Sequence, residues 1–222
     1  MDVISFVLFS FRRRYILRWV MAGIVFVVPV LDFLSLGYLW RASGLSMVGG
    51  MGLPTWERKG ELWREGARLL YITILYEALP SFLCSLAFLL FQIKSLVTDF
   101  AGYVMAALAI IAFILCSFFL PFAFCAYVEG MELRKAFDFE KIFAAIKEVL
   151  PHYVLGYALF LCAAYVTYRL VHVPLIGVIL LLTLPFYVLL VSTYYFTQLF
   201  RRTSLWSGST TAAPTMGPPY QR

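Results

Sequence analysis

Apolar residues in this chain gather into five long runs, roughly 16–39, 69–91, 101–127, 152–170 and 174–199. Charged residues stand almost entirely between them. An α-helix needs about 20 residues to cross ~30 Å of hydrocarbon, so each run is long enough to span a membrane. None shows the polar/apolar alternation of a membrane β-strand. The pattern predicts an all-α, helical integral membrane bundle.

Two charged segments between the runs carry helical periodicity instead. In the first, Leu62, Trp63, Gly66, Ala67, Leu69 and Leu70 share one face. Glu57, Glu61, Arg64, Glu65 and Arg68 share the other, with Glu61–Arg64 and Glu65–Arg68 spaced to pair. In the second, Phe139, Ile142, Phe143, Ile146, Val149 and Leu150 form the apolar stripe. Asp138 is placed to cap that helix, and Pro151 to end or kink it. Amphipathic helices bearing Trp or Phe beside a span lie in the headgroup plane. Trp63, Arg64, Phe139 and Phe143 are therefore the expected interfacial residues, with the chain turning down into the bilayer near Arg68. Laying Glu61-Leu62-Trp63 on Lys141-Ile142-Phe143 suggests a short internal repeat.

Composition agrees with the pattern. The chain of 222 residues is 63% hydrophobic and 14% charged, more apolar than a soluble core of this length can absorb. The N-terminal apolar piece precedes its basic cluster, the reverse of a secretory signal, so the first span is expected to stay attached. The expected organisation is a membrane domain over 1–202 and a Ser/Thr/Gly/Pro-rich tail over 203–222, too polar to build a core and expected to be flexible.

Basic residues decide the expected topology. Four lie in the N-terminal arm, and most of the remainder in the two charged segments and the tail. Five straight spans would put the arm opposite those segments, against the tendency of Lys and Arg to stay in the cytoplasm. If the first run enters and returns, sixteen basic residues share one side and only Lys94 and Arg169 face the other. Pro29, Asp32 and Gly37 provide for such a break. Four spans with a kinked or re-entrant first segment and five straight spans both remain open from the pattern. The net charge of +6 is spread beside spans without a nucleic-acid motif, so no nucleic acid is expected as a partner.

Several strings in order, Gly37-Tyr38, Leu53-Pro54 before Trp56, Leu62-Trp63 with Gly66, Tyr76 with Leu79-Pro80, and Ala136-Phe137-Asp138-Phe139, resemble an uncharacterised prokaryotic family of multi-pass membrane proteins, a domain of unknown function. The resemblance covers about residues 20–200. It implies a helical integral membrane protein and carries no catalytic residues.

Candidate chemistry is sparse. An ionisable residue within a span costs about 2.5–3.5 kcal/mol on insertion scales and is a functional suspect, which selects Asp32 and Glu77. The four cysteines sit inside apolar runs without metal-ligand spacing, and metalloprotease, nucleophile-elbow and phosphate-loop motifs are missing, so neither enzymatic activity nor a cofactor is expected. Gly102, Ala106, Ala109 and Cys116 form a small-residue stripe for close helix packing. The expected function is a non-enzymatic accessory or scaffold subunit of the cytoplasmic membrane that packs against a membrane-protein partner or a second copy. The alternative is a small permease or channel using Asp32 and Glu77.

Overall fold

A computed structural model describes residues 3–28, 31–50, 52–173 and 176–208. All its regular elements are helices: α1 (Val3–Ser10), α2 (Arg13–Val27), α3 (Asp32–Met47), α4 (Lys59–Gln92), α5 (Leu96–Gly130), α6 (Leu133–Ala136), α7 (Phe139–Glu148), α8 (Leu150–Val171) and α9 (Ile176–Phe200). Four of them, α4, α5, α8 and α9, are long and apolar enough to cross a membrane.

The first apolar run is not a straight span. It forms α2 and α3, of 15 and 16 residues. Each arm rises only about 22–24 Å, short of the ~30 Å hydrocarbon core. The arms return on themselves: the Ser35 hydroxyl donates to the Ala22 carbonyl at 2.8 Å. At the open end Arg18 donates to the Leu53 carbonyl at 2.9 Å, and the Trp56 indole donates to the Arg18 carbonyl. This hairpin returns the chain to the side it came from, so five straight spans are replaced by four. Pro29, the expected breaking residue, lies outside the described residues, as does the tail from 209.

The chain divides into two compact units, Met1–Leu70 with Phe122–Arg222, and Tyr71–Pro121. In the first, α2, α3 and α9 pack around Trp19, Tyr38, Leu39, Phe186, Leu190 and Tyr194. Phe6 stacks on Tyr194 at 4.0 Å, and Tyr38 lies against Trp56 at 4.9 Å. Phe122, Tyr153, Phe196 and Phe200 make a second aromatic cluster, with Phe122 edge-on to Tyr153 at 4.7 Å. Such pairs add about 0.5–1.5 kcal/mol beyond the area they bury. The second unit is a helical hairpin closed by the Ile93–Ser95 connection, with Phe91 edge-on to Tyr103 at 5.1 Å.

The first charged segment differs from expectation. It is not a separate helix lying flat, because α4 runs without a break from Lys59 to Gln92. At 34 residues that helix is about 51 Å long, some 20 Å more than the hydrocarbon needs, so its charged first turns are length beyond what crosses. The reason lies in packing on α3. A Cβ on Gly66 would stand 1.7 Å from the Phe33 carbonyl oxygen, and one on Gly37 would stand 1.9 Å from that of Leu62. Two glycines thus let the backbones touch, and α3 covers the stripe that headgroups were expected to cover.

Candidate functional site

The residues selected from the sequence are dispersed. Asp32 opens α3, where its carboxylate accepts the Phe33 N–H at 2.9 Å, a favourable place for an anion at a helix N-terminus. Glu77 lies in the other unit, half-buried, with no hydrogen bond or ion pair among the described residues. Gly102 and Ala109 are buried and Ala106 and Cys116 half-buried, forming the inward face of α5 in its hairpin. At Gly102 a Cβ would meet the Phe91 ring at 2.8 Å. Trp63 is 39% exposed, resting on Phe33 at 4.8 Å, and Arg64 is exposed. Phe139 and Phe143 point outward from α7. All four cysteines are free, and no group of three metal-ligating side chains occurs among the described residues.

A different cluster, at the charged end of α4, concentrates the buried polarity of the first unit. Assigning Glu65 to the solvent face was wrong: it is 0% exposed, whereas Trp63 faces outward. The buried face runs through Leu62, Glu65, Gly66 and Leu69, set by the Gly66 contact. Glu65 accepts a short hydrogen bond from the Tyr127 hydroxyl of α5. It also accepts from Arg68 at 3.0 Å and from Arg64 at 3.1 Å. The Glu65–Arg68 pair is therefore formed as its spacing predicted, but buried on the carboxylate side. Glu61 does not pair with Arg64; it meets Arg41 of α3 at 2.9 Å. Arg41 in turn donates to the carbonyls of Thr55 and Glu57, tying down the loop before α4. Removing one partner of a buried pair costs about 3–5 kcal/mol, because the remaining charge keeps its desolvation penalty. Glu65 was legible only by weighing i, i+3, i+4 spacing from Leu62 and Leu69 above side-chain polarity.

A polar seam continues between α3 and α9. The Ser43 and Thr197 hydroxyls pair at 2.9 Å, and Gln198 donates to the Ser46 hydroxyl at 2.9 Å. Beyond α9, residues 201–208 fold back as a strap. The Ser204 N–H donates to Glu148 at 2.7 Å, joined by a short bond from its hydroxyl. Those donors, the hydroxyl foremost and then the N–H, hold the Glu148 carboxyl below its usual range. Ser207 donates to Glu129 through its N–H at 2.6 Å and its hydroxyl at 2.9 Å. Trp206 lies under the Arg201 guanidinium at 5.1 Å. Between the strap, the end of α5 and the start of α7 is a cleft of about 130 Å³.

Chemically, these groups hold one another. Glu65, Glu61, Glu129 and Glu148 each accept from named donors, which suits fixing helix ends more than exchanging protons. Four membrane-crossing helices, a returning hairpin and a charged end define a multi-pass α-helical membrane protein. The family described as "Protein of unknown function (DUF4013)" matches residues 20–182, and the chain belongs to it. No curated protein and no solved structure matches the chain.

Proposed function

We propose that this protein is a non-enzymatic accessory or scaffold subunit of a prokaryotic cytoplasmic membrane, working by helix packing with a membrane-protein partner or a second copy. The observation that carries this reading is the Tyr71–Pro121 hairpin. Its small-residue seam is spent inward, while Phe82, Phe88, Phe100, Ile110 and Phe113 stand more than half exposed on its outer faces. Helices associate in lipid by packing of this kind, without a hydrophobic drive. Photocrosslinkers at Phe88 and Ile110 in native membranes test it. Discrete protein adducts that co-purify in mild detergent are expected, and adducts to lipid alone would overturn the reading.

One observation favours a permease instead. Glu77 is a half-buried carboxylate about 22 Å along the helix from Gln92, without a hydrogen bond or ion pair among the described residues. Cation flux in proteoliposomes that disappears in Glu77→Gln would establish this second reading; flux unchanged by the substitution, or none, would reject it.

A further inference from the structure

The cleft beside the strap is not used by the reading above, and its charges are unevenly committed. Its two carboxylates are engaged. Glu129 receives the N–H and hydroxyl of Ser207. Asp138 caps α7 through the Lys141 N–H at 3.3 Å and pairs with the Lys141 ammonium at 2.7 Å. Lys135, which also lines the cleft, has an ammonium without a hydrogen bond or ion pair among the described residues, and its stem lies over Gly130, where a Cβ would meet its Nζ at 2.5 Å. The lining carries two carboxylates and two ammoniums, and the Lys135 ammonium is the one of these cations outside an ion pair among the described residues.

The cleft stands beside a helix that leads into a membrane-crossing one. It adjoins α7, which leads directly into the crossing helix α8. That short helix buries Ile142, Ala145 and Ile146 but exposes Phe139 at 52% and Phe143 at 45%. The Lys147 ammonium sits 4.5 Å over the Phe143 ring. Outward aromatic rings under a lysine are what a helix presents to acyl chains and headgroups together.

We propose that the cleft binds the phosphate of an anionic phospholipid headgroup, with Lys135 as the pairing charge and Phe139 and Phe143 against the acyl chains. A basic residue near an anionic lipid surface is worth about fivefold in binding. The test uses the full chain in nanodiscs of equal phosphatidylglycerol and phosphatidylcholine, followed by native mass spectrometry of the lipids retained. Wild type should retain phosphatidylglycerol preferentially. Lys135→Gln should reduce that preference by about fivefold and Lys135→Arg should preserve it. Lys94→Gln, which does not line the cleft, should leave it unchanged.

An undiminished preference in Lys135→Gln, or an equal loss in Lys94→Gln or Lys135→Arg, would overturn the assignment. A second arm titrates the detergent-purified chain with inorganic phosphate. Phosphate binding lost in Lys135→Gln, without any preference among lipids, would reassign the cleft to a soluble anion and overturn the lipid proposal.

Discussion

Two amphipathic segments lead into two crossing helices, and they do so by opposite means. Residues 59–70 continue into their span as one helix, start at Arg58 with φ of 55°, and meet no proline until Pro80. Residues 139–148 form a helix of their own, which ends at Val149 with φ of −120° before Pro151 enters the first turn of α8. Proline lacks the N–H that would continue the first helix, and its ring collides with the carbonyl four residues back. The covering material differs too. The first segment presses its glycine-bearing face onto α3 and hides a carboxylate there; the second buries aliphatic side chains and leaves two phenylalanines outside. Amphipathic spacing establishes that one face of a helix is covered. It is silent on whether protein or lipid covers it.

The sharpest way to break this contrast is Gly66→Ala. Its methyl would fall on the Phe33 carbonyl, which is backbone and cannot rotate away, so the loss should reach or exceed the ~1–3 kcal/mol of ordinary overpacking. Thermal unfolding in detergent measures it, with Gly60→Ala as the comparison because nothing lies within 4 Å of that site. Equal melting of the two variants would remove the close α3–α4 contact.

Comparable in size is Glu65→Ala, which leaves Arg68 and Tyr127 facing a void. Arg68 is 39% exposed and can turn to water, so the lower end of ~3–5 kcal/mol is expected. Tyr127→Phe should cost about 1–3 kcal/mol, since it leaves a buried carboxylate lone pair unmatched. If both variants melted like wild type, the first segment would be held by apolar contacts alone.

Pro151→Ala addresses the second segment. Stability should change by less than ~1 kcal/mol. Spin labels at 140 and 154 should move apart toward the ~21 Å of a continuous helix. An unchanged separation would show that the buried Ile142 and Ile146 hold the break, with proline only accommodating it.

The smallest effect is that of acid. Asp138 is held below its usual range, chiefly by the Lys141 ammonium and then by the Lys141 N–H, and Glu148 is lowered by Ser204. Both carboxyls bind protons more weakly folded than unfolded. Their contribution is therefore present above the unfolded values and lost as pH falls through the folded ones. Glu148 is exposed and the Asp138 side chain is a third exposed, so only a slight decline is expected on acidification. Melting of Glu148→Gln should be less sensitive to acid than that of wild type, and an identical pH profile would release the strap from this role.

Which features were legible follows from what each depends on. The four spans were readable because uninterrupted apolar runs leave a helix in lipid as the only way to satisfy the backbone. Asp138 as a cap and Pro151 as a break were readable because both act within one turn. The re-entrant first run was reachable only indirectly, by counting arginines and lysines. Glu65 was placed on the wrong face because the face was chosen from polarity, whereas it is set by Gly66 meeting Gly37 and Phe33. Glu61 chose Arg41, twenty positions away, above its helical neighbour Arg64.

The linear order of residues, then, determined that this protein is helical, that lipid solvates most of it and that its charges gather between the apolar runs. Those properties are sums over runs and need no neighbour to be specified. The tertiary structure alone decided which side of each amphipathic helix turned inward and which carboxylate was buried. Those choices depend on two distant glycines allowing backbones to touch, and no local preference records that.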